Sequence, residues 1–78
     1  MKTEEIVSLV LEMLEEAGFP SELYIIKSFG DSVTVHFDDR AAVDYFVDDV
    51  EKYSEHAQNF IIQKGRDGKR HTVTFQLW

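Results

Sequence analysis

The sequence predicts an α+β fold of element order α-β-β-α-β-β, a four-stranded antiparallel sheet with both helices on one face. Three observations carry this. Two apolar stretches have helical period, four short runs alternate, and the two halves of the chain match one another. With 78 residues and no cysteine, the chain has room for a single domain, 1–78, made of two α-β-β units of about 3–38 and 39–78, with no disulfide or thiolate metal site.

The first helix is expected from about Glu4 to Ala17, with Thr3 as its N-cap, Glu4 and Glu5 at its positive end and Gly18 followed by Pro20 as its stop. Leu23 to Phe29 reads as a strand, Gly30-Asp31 as a turn, and Ser32 to Phe37 as a second strand alternating at Val33, Val35 and Phe37. A two-residue turn pairs Ser28 with Val33, Ile26 with Val35 and Tyr24 with Phe37, all facing the helices. Asp38 or Asp39 caps a second helix, about Arg40 to Tyr53. Phe60 to Lys64 is a third strand, Gly65 to Gly68 a turn, and Arg70 to Leu77 a fourth strand alternating at Val73, Phe75 and Leu77.

The internal match has two offsets. At 36, Val7, Leu11, Leu14, Tyr24, Ile25 and Ile26 fall on Val43, Val47, Val50, Phe60, Ile61 and Ile62. At 40, Val33-Thr34-Val35 falls on Val73-Thr74-Phe75, and a longer second turn is expected to absorb the difference. Two such units form a circular permutation of the ferredoxin-like arrangement.

Charge narrows the function classes. The net charge is −7, which argues against direct binding to nucleic acid or anionic membrane. Residues 1–38 hold two basic and eight acidic side chains, residues 39–78 six and seven. Four of those six basic residues lie between Lys64 and His71, so a basic hairpin tip is expected beside acidic helices. The acidic start of the chain and the lack of a long apolar run lead to an expected cytoplasmic protein.

Phe37-Asp38-Asp39-Arg40-Ala41-Ala42-Val43-Asp44-Tyr45-Phe46, continuing to Val50 and Glu55, resembles the corresponding segment of the pterin-4a-carbinolamine dehydratases. The resemblance implies their α-β-β-α-β-β fold. Where that family carries its catalytic His-His-Pro, this chain reads His56-Ala57-Gln58-Asn59, so only His56 matches and the activity is not implied with the fold. What remains is a degenerate ligand site around His56 as a remote alternative.

No nucleophile elbow, P-loop or zinc-protease motif occurs, and His36, His56 and His71 are scattered, so no catalytic residue, metal or cofactor is expected. His36 and His71 read as surface histidines. Two interaction surfaces remain. The open sheet face gathers Ile25, Phe29, His36, Ile61 and Trp78, which suits a protein partner and above all a second copy of the chain. The first helix adds an apolar arc of about 200°, wider than a surface helix needs. Asp44, Asp48, Glu51 and Glu55 form an acidic stripe on the second helix, which suits an inhibitor or decoy that mimics nucleic-acid charge.

Overall fold

Helix α1, Thr3–Glu16, opens the computed structural model, which describes residues 2–78. Its cap is Lys2, in extended conformation, rather than Thr3. The Glu5 carboxylate accepts from the Lys2 backbone N–H at 3.5 Å. Thr3 is already helical, and its hydroxyl donates to the Gly30 carbonyl at 2.8 Å, tying the helix start to the first hairpin turn. The helix ends in a Schellman motif, with Phe19 N–H donating to Leu14 O and Gly18 N–H to Glu15 O. Gly18 sits at φ +86°, where a side chain would strain the backbone.

Four strands follow: β1 Tyr24–Phe29, β2 Ser32–Phe37, β3 Phe60–Asp67 and β4 Arg70–Leu77, with helix α2, Arg40–Tyr53, between β2 and β3. Leu23 belongs to a short 3-10 turn, Ser21–Leu23, that leads out of Pro20, so β1 starts one residue later than expected. The first hairpin has the expected register, Tyr24 opposite Phe37, Ile26 opposite Val35 and Ser28 opposite Val33. Asp39 caps α2, its carboxylate accepting from Ala41 N–H at 2.9 Å.

The second hairpin departs from expectation. Its turn is only Gly68-Lys69, the same length as Gly30-Asp31, and β3 continues through Gly65, Arg66 and Asp67. The extra residues form three more ladder pairs, Gly65 with Thr72, Arg66 with His71 and Asp67 with Arg70. Gly30 and Gly68 hold φ of +58° and +63°, and among the described residues no non-glycine has positive φ, the pattern of type II′ turns. Polar residues hid this strand end, because a hairpin tip that runs past its neighbour needs no apolar face.

The sheet order is β1-β2-β4-β3, antiparallel throughout. A ferredoxin-like sheet takes this order when its first strand moves to the C-terminus. Helix α1 lies over β1 and β2, and α2 over β2 and β4. The core between the layers joins Ile6, Val10, Met13 and Leu14 of α1 to Val43, Phe46, Val47 and Val50 of α2 and to Val33, Val35, Phe37, Phe60, Val73 and Phe75 of the sheet. Phe46 is the hinge of its aromatic packing, with ring centroids 5.8–5.9 Å from Phe19, Phe37 and Phe75.

The wide arc of α1 is mostly consumed by this core. Ile6, Val10, Met13 and Leu14 are buried, and Val7, Leu9 and Ala17 pack partly against them. Leu11 alone of that arc stays exposed, at 42%.

Candidate functional site

Both helices cover one face of the sheet, and the strand pairs define what the other face shows. Three rows cross it from β1 to β3: Phe29-Ser32-Gln76-Ile61, Lys27-Thr34-Thr74-Gln63 and Ile25-His36-Thr72-Gly65. Trp78 extends β4 on the same side, and its backbone N–H donates to Asn59 O at 3.3 Å. Phe29, Ile61 and Trp78 therefore share one end of the open face. Phe29 is 88% exposed and Trp78 85%, while Ile61 is half-buried. The centre is a band of hydroxyls, with Thr34 and Thr74 bonded to each other at 3.0 Å.

The far end is charged. Arg70 lies across the ladder from Asp67, and its Nε is 3.9 Å from Asp38 Oδ1. His36 sits beside them, and here the expectation of a surface histidine fails. It is 5% exposed, in a central strand between Ile25 and Thr72, with Lys27, Asp67 and Arg70 near enough to act on its charge. Its Nδ1 is 3.9 Å from Asp67 Oδ2 and has no hydrogen-bond partner among the described residues. Burial holds the imidazole below its ordinary pKa, and Lys27 and Arg70 push the same way against the pull of Asp67. His36 thus lies in the face without offering it contact surface. His71 is on the helix side and half-buried, so it is not a surface histidine either.

The acidic stripe is broken in two ways. Glu55 lies beyond the end of α2, where Ser54 leaves the helix in extended conformation. Asp44 accepts from Lys64 Nζ at 2.9 Å, and Asp48 is 3.1 Å from Lys52 Nζ. The bond from Lys64 holds the Asp44 carboxyl below its usual pKa. Glu51 and Glu55 are left as the unpaired members of the set among the described residues. The basic tip is likewise divided: Lys64 and Arg66 point to the helix side and Arg70 to the open face.

His56 lines an open cleft of about 600 Å³ with Glu4, Glu5, Ser8, Leu9 and Glu12 of α1. Its backbone N–H donates to Ser54 Oγ at 3.2 Å. Among the described residues, no three His, Asp or Glu side chains converge as metal ligands, and no helix is long and apolar enough to cross a membrane. Compared with protein-family models, curated proteins and solved structures, the chain matches none.

Sequence reasoning missed the charged end of the open face. Arg70 shares a face with His36 by the alternation of β4 alone, but Asp67 joins them only if the third strand runs that far, and the polarity of Lys64 to Asp67 disguised that strand. The alternation itself was the available signal, since Gly65 and Asp67 continue the parity of Ile61 and Gln63.

Proposed function

We propose that this chain is a non-enzymatic protein-interaction domain that pairs reversibly with a second copy of itself through the open sheet face. The observation that carries this reading is the exposure of Phe29 and Trp78 together at one end of a face that no helix covers. Aromatic side chains of this kind are the usual anchors of protein interfaces.

Charge placement supports a copy of the chain as the partner. Lys27, Arg70, Asp38 and Asp67 are the charged residues of the open face and sum to zero, so the −7 of the chain lies elsewhere. Face-to-face packing places the acidic helices outermost and farthest apart. Shape supports it as well. A two-fold axis parallel to the strands lays β1 of one copy over β3 of the other, which sets Phe29 against Ile61 and Ile25 against the bare backbone of Gly65.

The size of the face sets the strength. Four strands spaced by about 4.8 Å, with residues rising about 3.3 Å, give roughly 500 Å² per partner. That is below the ~800 Å² of a standard interface, so the dimer is weak and reversible. The two α-β-β halves are read as an internal repeat, supported by the sheet order, which puts the second strand of each half in the centre and the first at an edge.

Trp78 is the single tryptophan and reports directly on this face. Its emission should move to shorter wavelength as the protein is concentrated from low to high micromolar, because pairing removes the indole from water. An emission maximum that stays fixed across that range would sink the reading.

A further inference from the structure

On the helix side of the sheet, at the end opposite Phe29 and Trp78, a pocket of about 320 Å³ opens between the start of α2 and the tip of the second hairpin. Its walls are Arg40, Val43 and Asp44 of α2 with Lys64, Gly65, Arg66 and His71 of the hairpin. Three permanent cations and a histidine surround one carboxylate, within a chain whose net charge is −7. We propose that this pocket is an anion site that takes the phosphoryl group of a small, hydroxyl-bearing phosphate monoester.

The internal carboxylate shows that these cations converge on an oxygen. Asp44 accepts from Lys64 Nζ at 2.9 Å, which orients the ammonium before any ligand arrives, and Arg40 Nε lies 3.8 Å from the same carboxylate. Arg66 and His71, opposite one another in the ladder, have no carboxylate partner among the described residues. The Arg66 guanidinium donates to the Gly68 carbonyl at 3.4 Å. Counting Arg40, Lys64 and Arg66 against Asp44 leaves a surplus of two positive charges, with the His71 imidazole beside them. A phosphoryl dianion matches that surplus, and a guanidinium can grip it through two oxygens.

The lining also limits the rest of the ligand. Val43 is its one apolar side chain and no Phe, Tyr or Trp lines it, so the lining favours a polar ligand over an apolar one. The volume lies at the small end for ligand pockets. Asp44, an acceptor amid donors, is placed to take a hydrogen bond from a hydroxyl next to the phosphate. The pocket and the open sheet face lie on opposite sides of the sheet, so either assignment stands without the other.

The test is an amide NMR titration at constant ionic strength, using inorganic phosphate and glycerol 1-phosphate as probes and sodium chloride as control. The expected result is saturable shifts confined to residues 40–44, 64–66 and 71, with glycerol 1-phosphate binding the tighter. Arg66→Ala should weaken both probes by about tenfold, the cost of one charge-assisted contact. Asp44→Asn should strengthen phosphate binding several-fold and reduce the preference for the ester. Lys64→Ala gives a second loss of binding, and each variant's own amide spectrum reports that it is folded. Shifts that rise linearly and match those from chloride would overturn the site, as would unchanged affinity in folded Arg66→Ala. Equal affinity for the two probes in the wild type would overturn the hydroxyl assigned to Asp44.

Discussion

His36 shows how a polar residue on an uncovered face becomes buried. The ring lies in a central strand, with Ile25 and Thr72 beside it and Lys27 of β1, Asp67 of β3 and Arg70 of β4 around it. Its folded pKa is depressed, chiefly by burial, so the unfolded chain binds more protons than the native one over part of the acidic range. The sign follows from linkage. The contribution to stability is full above the unfolded value of about 6.5 and is lost as pH falls from there toward the folded value. Urea denaturation at about pH 7.5 and about pH 5.5, on either side of that value, should show lower stability at the acid pH. His36→Gln should shrink the difference; an undiminished difference would mean that other groups cause it. The sequence placed His36 on the correct face and strand, since alternation alone assigns it. Its burial was not legible, because Asp67, one of the groups around it, arrives from a strand end that composition concealed.

At the scale of elements, what was legible followed from strict periodicity and caps. The register of the first hairpin, all of β2 and β4, and both ends of α2 come from alternation, a two-residue turn and Asp39. Phe19 was not assigned a role, because it stands outside any period. The Schellman turn at Gly18 swings it back onto the core, where its ring meets Phe37, Tyr45 and Phe46. Gly18→Ala should therefore cost about 1 kcal/mol or more, since alanine must adopt a positive φ. No side chain crowds the position, so the loss would be backbone strain alone. Phe46→Ala removes the ring that joins both layers and should cost about 3–5 kcal/mol. A chain of this length has roughly 4–12 kcal/mol to lose, so the Phe46 variant should melt far below the wild type, and the Gly18 variant by several degrees. Thermal unfolding followed by circular dichroism separates these outcomes, and a Phe46→Ala transition at the wild-type temperature would refute the packing described for it.

For the whole molecule, the governing feature is an uneven surface: acidic helices on one side, and on the other a charge-balanced sheet face with aromatic residues at one end. The strand order that creates this face was not legible, because no local pattern says which strands are central. With β2 and β4 in the middle, their hydroxyl and amide side chains form the centre of the face, while Ile25, Phe29 and Ile61 lie on the edge strands. Leu11 adds little, because the rest of the α1 arc is absorbed by the core. The central claim is that the open face joins two copies, and sedimentation equilibrium of the wild type and of Phe29→Ser/Trp78→Ser tests it most directly. The account predicts a wild-type mass that climbs with concentration from 9.1 kDa toward twice that value, and a variant that stays at the mass of one chain. A wild type that remains at 9.1 kDa at high micromolar concentration, or a variant that associates as well as the wild type, would contradict it.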